Sequence, residues 1–320
     1  MKRIFLFVCV VVLALLLPAV LSHAVKIEFT DEALSGAPEK QGLALKASPF
    51  EFTPYKFTRQ TADRRAGEVF QKSPVVQAVR GRRPEVTETD EEIIYAVRDI
   101  RFHVSKTTGG EILLDLERYA VSEPQRGPVD EKRLKAVADS YIREQFRSVN
   151  PAELRFSKVK KIMDAQGTMD PQTKVGTLDS PQVANYIFIY ERLIKGIPVI
   201  GSGEKIRVYF SASGDLIGHS LVWRRLRPGA ERAKPVKSSE EIRKIFLDRH
   251  GKDPAESIRV DRLYFGYYAE GRYKPQKAIR PYYILGYTYG PHSKRKLERY
   301  DAYTGEFIKP PEEKPGSVKK

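Results

Sequence analysis

Between residues 183 and 223 the apolar positions gather into three short, β-rich runs, at 186–193, 206–210 and 216–223. In the first, Tyr186, Phe188 and Tyr190 alternate with Ile187 and Ile189, so neither face is polar and both are expected to be covered. In the second, Arg207 and Tyr209 oppose Ile206, Val208 and Phe210, the pattern of a strand covered on one face. Gly196-Ile197-Pro198-Val199 lies between the first two runs. Ser213-Gly214-Asp215 lies between the last two, where Gly214 can take the positive φ of a tight hairpin. The spacing predicts an antiparallel sheet.

The same reading extends in both directions. Ile94, Ala96, Ile100, Phe102 and Val104 lead to Thr107-Thr108-Gly109-Gly110, and Ile112, Leu114 and Leu116 return, which predicts a hairpin. A lone hairpin is marginal in water, so this one must pack on something. Leu134, Val137, Tyr141, Ile142 and Phe146 keep helical spacing across 130–148, and burying such side chains contributes about 1.5–3 kcal/mol each. A strand is expected over 154–163, and a polar loop over 164–180. After a Pro- and charge-rich joint at 227–237, Ser238 and Glu241 have capping-box spacing, and Ile242, Ile245 and Phe246 form a stripe ended by Gly251. Strands follow at 258–268, 280–289 and 299–308. Residues 25–90 lack sustained periodicity and read as an extended, partly disordered arm with a short helix around 62–70. The fold class expected is α+β: two consecutive units, at 91–227 and 228–309, each one helix on a small antiparallel sheet. The tail, 310–320, is expected to be disordered.

Two short motifs carry a family resemblance. Tyr190, then Gly196-Ile197-Pro198-Val199, a Val/Ile-rich strand and Gly214 resemble the propeptide modules of thermolysin-like metalloproteases, the FTP and PepSY domains. Tyr300-Asp301-Ala302-Tyr303-Thr304-Gly305-Glu306-Phe307-Ile308 resembles the closing strand-turn-strand of a PepSY domain, and the likeness spans about 129–309. The resemblance implies a helix laid across a small curved sheet in each unit. It also implies a role for such modules in chaperoning and inhibiting a peptidase. The protease domain itself is absent, since no two histidines flank a Glu at helical spacing.

The N-terminus changes the setting. Lys2 and Arg3, an apolar run over 4–17, Pro18 and Ser22-His23-Ala24 have the layout of a secretory signal cleaved after Ala24. An uncleaved membrane anchor over 4–21 is the alternative. The one cysteine, Cys9, lies inside this run, so the mature chain has neither disulfide nor thiolate site. Two of the 56 basic residues leave with the signal and none of the 41 acidic ones, so 54 face 41 and the mature charge is +13. Outside the cytosol nucleic acid is not the expected partner; the basic clusters read first as a solvated surface, with anionic lipid, lipopolysaccharide or wall polymer as the partners they could meet. The basic clusters are Arg80, Arg82 and Arg83; Lys158, Lys160 and Lys161; Arg224, Arg225 and Arg227; and Lys294, Arg295 and Lys296. The first and third are the candidate anion contacts.

Candidate chemistry is sparse. His103, His219, His250 and His292 show no metal-ligand spacing, and structural roles are expected for all four. Four Ser-x-x-Lys spacings in a Lys-rich chain read as chance. Asp164, Asp170 and Asp179 fit no calcium loop, and Asp115 with Glu117 reads as the solvated face of a hairpin. Tyr264, Tyr268, Tyr273 and Tyr282 are among the aromatics that alternation divides between core and outer face. No catalytic residue, metal or cofactor is expected. The leading expectation is an exported, non-enzymatic inhibitor or regulator of a peptidase. The alternatives are a basic envelope-binding module, an anchored regulator of a sensor kinase, and, last, a hydrolase with an unrecognised site.

Overall fold

A computed structural model of the chain describes residues 27–35, 38–39, 46–120, 129–164, 167–169, 176–178, 180–251, 257–290 and 294–309. The expected signal with Ala24, His292, Asp170, Asp179 and the tail lie outside them. Among the described residues no helix is long and apolar enough to cross a membrane.

Fourteen strands form one mixed sheet. In chain order they are β1 (Ile27–Phe29), β2 (Glu85–Glu88), β3 (Glu92–Val97), β4 (Ile100–Ser105), β5 (Glu111–Asp115), β6 (Leu154–Asp164), β7 (Gln182–Ile194), β8 (Ile197–Gly201), β9 (Lys205–Ser211), β10 (Leu216–Val222), β11 (Ile258–Ala269), β12 (Pro281–Tyr289), β13 (Lys296–Asp301) and β14 (Phe307–Ile308). Across the sheet the order is β14-β13-β12-β11-β8-β7-β9-β10-β5-β4-β3-β2, with β6 beside β7 and β1 beside β11. Three longer helices, α1 (Arg59–Lys72), α2 (Glu131–Gln145) and α3 (Ser239–His250), cover it.

This overturns the expected fold class. The chain is mostly β, and the strands expected for two separate helix-on-sheet units belong to one sheet joined through β8. The join is local. Lys195 (φ 51°) and Gly196 (φ 82°) reverse the chain, so Ile197 and Pro198 pair antiparallel with the end of β7. Val199, Ile200 and Gly201 then pair parallel with Tyr267, Tyr268 and Ala269 of β11. Gly266 lets the two backbones approach, since a Cβ there would stand 2.4 Å from the Pro198 carbonyl oxygen.

The segment expected as an extended arm is largely built into the fold. Thr58 caps α1, whose Ala62, Ala66, Val69 and Phe70 pack with Val76 and Val79 on Ile93, Tyr95, Phe102 and Leu113. This is the cover that the β3–β5 hairpin needs. Phe50–Phe52 forms a three-stranded sheet with Leu226–Pro228 and Ala278–Ile279, and places Phe50 and Phe52 in the core beneath α3. A second helix, α2, lays Leu134, Tyr141, Ile142 and Phe146 on Phe188, Ile206, Val208 and Phe210, as its spacing predicts. Its Val137 is instead exposed. Within the expected 164–180 loop, Gly167–Met169 pairs antiparallel with Gly176–Leu178.

Two strands face the opposite way from the expected register. In β3, Ile93, Tyr95 and Val97 are buried while Ile94 and Ala96 are only partly covered. In β5, Glu111 and Leu113 are buried in place of Ile112 and Leu114. Both faces of these strands carry apolar residues, so alternation could not choose between them, and a one-residue slip exchanges every side chain. Asp115 and Glu117 share no strand face either, because Leu116–Ala120 is a short helix.

Candidate functional site

The family-motif residues serve separate turns. Gly196 makes the reversal before β8, and Ile197 and Val199 are core. Gly214 (φ 87°) donates its N–H to the Ser211 carbonyl between β9 and β10. At the end of β13, Asp301 Oδ1 accepts from the Tyr303 and Thr304 amides at 2.9 and 3.1 Å, Gly305 (φ 76°) donates to the Asp301 carbonyl, and Ala302 is fully buried. A Cβ on Gly196 would meet nothing within 4 Å, whereas one on Gly305 would stand 2.4 Å from Ile245 Cδ1. Gly196→Ala is therefore expected to cost only the backbone term, roughly 1–2 kcal/mol, and Gly305→Ala more. Thermal melting of the two variants checks the order.

The basic candidates divide. Arg80, Arg82 and Arg83 are exposed and make no ion pair among the described residues. Arg225 is exposed, and Arg227 pairs with Glu51 at 2.7 Å. Arg224 is no surface contact. It is buried, stacked at 3.6 Å on Phe52, and its Nε donates to Glu204 at 2.7 Å. Glu204 is fully buried, holds φ 51°, and also accepts from the Arg224 amide at 3.1 Å and from Arg192 Nη1 at 2.9 Å. Arg192 reaches on to Glu153 at 2.7 Å and lies over Trp223.

A second buried chain of polar groups has the composition of a hydrolytic site. Arg65 donates through Nη2 and Nε to Glu111 at 2.6 and 2.8 Å. Glu111 Oε1 lies 3.2 Å from His219 Nε2, His219 Nδ1 is hydrogen-bonded at 2.7 Å to the Tyr141 hydroxyl, and that hydroxyl lies 3.3 Å from Ser73 Oγ. Burial alone would raise the Glu111 carboxyl, but the bonds and charge of Arg65 and the bond from His219 outweigh it and hold the group at about 2. The order of groups rules out a Ser-His-acid relay. A general base must touch the nucleophile it deprotonates. Here Tyr141 stands between His219 and Ser73, and Ser73 Oγ also accepts the Val75 amide. Ser73 and His219 are 0% exposed, and Tyr141 3%. The neighbouring cavity touches Arg65 and Glu111 but none of those three.

Two of the four histidines thus sit in buried networks, for His250 also lies 3.2 Å from Glu298, which accepts from Tyr287 and Tyr300. His103 faces Glu92 at 3.3 Å and is partly exposed. Among the described residues no three His, Cys, Asp or Glu side chains converge as a metal would require. Of the strand tyrosines, Tyr267, Tyr283, Tyr287 and Tyr300 are core and Tyr264 is exposed, as is Tyr273 in the turn beyond β11.

Open space collects around Tyr55. One cavity of about 490 Å³ lies between α1 and the end of α2, and a second of about 530 Å³ lies over Phe52 and Ala278. Tyr55 lines both, and so does the β4–β5 turn, through Gly109 on one side and Thr107 and Thr108 on the other. Gly109 cradles the ring, since a Cβ there would stand 2.6 Å from it. No single sequence feature marks this place, because its residues come from 51–72, 104–111, 144–148, 221–227 and 275–278.

No family model and no curated protein matches the sequence. Among solved structures, the fold is similar to an uncharacterized protein from Eubacterium rectale, with TM-score 0.53 and 10% identity over 89% of this chain and 90% of that one. It is also similar to the C-terminal domain of Bacillus megaterium YpeB, with TM-score 0.38 and 11% identity over 79% of this chain and 96% of that one. The first likeness shows a shared fold along nearly the whole of both chains. The second is too slight to carry an argument.

Proposed function

We propose that this chain is a non-enzymatic binding protein, exported from the cytosol, that regulates or inhibits a peptidase. The observation that carries the first half is the Arg65–Glu111–His219–Tyr141–Ser73 network, whose Ser73, His219 and Tyr141 are buried away from the neighbouring cavity. Its serine and histidine do not line the cavity that reaches Glu111, and its histidine bonds a phenol instead of the serine. What supports the second half is the resemblance of the Gly196–Val199 and Asp301–Gly305 motifs to peptidase propeptide modules.

The test is to incubate residues 25–320 with a panel of secreted peptidases, including a thermolysin-type zinc enzyme. Peptide, ester and glycoside substrates are supplied in parallel, with and without divalent metal. The expected result is no turnover by the chain itself and saturable inhibition of at least one peptidase. Turnover abolished by His219→Ala overturns the reading, and so does failure to inhibit or capture any peptidase.

A second reading, an envelope module binding anionic lipid, is favoured by Arg80, Arg82 and Arg83, which are exposed without carboxylate partners among the described residues. It predicts retention on anionic vesicles that is lost by about 0.5 M salt, as exposed charges are screened, and lost in the triple Glu variant.

A further inference from the structure

We infer that the two cavities flanking Tyr55 form one trough that binds an extended peptide bearing acidic and apolar side chains. The inference rests on the protein-binding reading and gives it a docking place. The first argument is continuity, because one aromatic ring and one turn, 107–109, serve both lobes. The second is charge. Over the two linings seven basic side chains face four carboxylates. Three of those carboxylates are already engaged, Glu68 and Glu111 by Arg65 and Glu51 by Arg227. Among the described residues Glu144 accepts only from the Ser140 hydroxyl.

Against that one carboxylate stand Arg64, Lys72, Arg147 and Lys277, all exposed and none in an ion pair among the described residues. Cations left unmatched around a concave site are positioned for an anionic ligand. The third argument is the floor. Phe52, Pro54, Tyr55, Pro275 and Ala278 give the second lobe an apolar base. A bare polyanion such as polyphosphate gains nothing from it, whereas a peptide can seat a side chain there. Tyr55 adds a half-buried phenol whose hydroxyl has no hydrogen-bond partner among the described residues, an anchor able to stack and to donate. The volumes suit several side chains in each lobe, within the ordinary range for binding clefts of about 300–1,000 Å³.

The test is fluorescence anisotropy of residues 25–320 with a labelled twelve-residue peptide alternating Glu or Asp with Leu and Phe. A Lys-for-Glu version and inorganic polyphosphate serve as comparison ligands. Saturable binding of the acidic peptide is expected, weakened at least tenfold by Arg64→Glu with Arg147→Glu, and at least tenfold by Tyr55→Ala. Neutralising Arg80, Arg82 and Arg83 together should change it less than twofold. Because Arg64 and Arg147 hold no ion-pair partner among the described residues, their reversal should leave the melting temperature in place, which separates lost binding from lost folding. Equal binding of the basic peptide, equal or tighter binding of polyphosphate, or indifference to the three trough substitutions overturns the inference. A chain that still inhibits a peptidase after those substitutions keeps the proposed function and loses the trough. Peptide binding with no peptidase target does the reverse.

Discussion

Replacing Glu204 with Ala is expected to lower the stability of the folded chain by about 3–5 kcal/mol, because it strands a buried charge. The carboxylate is 0% exposed and is gripped by Arg224 Nε at 2.7 Å, the Arg224 amide at 3.1 Å and Arg192 Nη1 at 2.9 Å. After its removal Arg192 still has Glu153 and the Arg224 carbonyl oxygen. Arg224 keeps only its stacking on Phe52 and a long bond to the Glu270 carbonyl at 3.4 Å. The loss should appear as a lower urea midpoint with an unchanged slope. Replacing Glu204, Arg192 and Arg224 together with apolar residues of similar volume should recover most of it, since the cost lies in the uncompensated guanidinium and not in a missing contact. An Ala variant within 1 kcal/mol of the parent would show that water reaches this site.

Acid should find the second buried network. The Glu111 carboxyl is held at about 2, against 4.5 for the free side chain. A group whose folded pKa lies below its unfolded one stabilises the fold above the unfolded value, and the contribution fades as pH falls toward the folded one. Glu111 thus contributes about 3 kcal/mol above pH ~4.5, at 1.36 kcal/mol per unit, and loses it between about 4.5 and 2. Glu111→Gln should be less stable than the parent at pH 7 and should show a flatter fall in urea midpoint across that window. Parallel curves for the two proteins would remove Glu111 from the account of acid unfolding.

The legibility of the sequence tracked how far each element depends on partners elsewhere. Helix α2 was readable because Leu134, Tyr141, Ile142 and Phe146 are large and periodic, and α3 because Ser238 and Glu241 form its capping box. Helix α1 gave a weak signal. Its buried stripe begins with Ala62 and Ala66, whose small side chains barely register as hydrophobic, and it is set among Arg59, Arg64 and Arg65. Misjudging which faces of β3 and β5 are covered then hid Glu111, which a single shift of register moves from solvent to core. Arg224 looked like one of three surface arginines, and nothing in the local string indicates that Glu204, twenty positions earlier, folds back beneath it. The single sheet was unreadable for a related reason. Parallel pairing of β8 with β11 joins positions about seventy apart, and apolar alternation names no partner.

Among the described residues the long edge strand Leu154–Asp164 pairs with β7 alone, yet Lys158 and Lys160 stand exposed along it, a charge pattern that discourages pairing between copies. The partnership of Ile27–Phe29 with Ile258–Val260 has a different consequence, one of timing. The pair is separated by roughly 230 residues. A ribosome adding about 5–20 residues each second needs about 10–50 s to cover that interval. For that time this strand, the first among the described residues, lacks its partner in the sheet, and the core around Phe50 and Phe52 waits on the same late-arriving segments. Truncations that delete β11 and everything after it should therefore also expose residues 27–29 to proteases, although the two segments are far apart in synthesis.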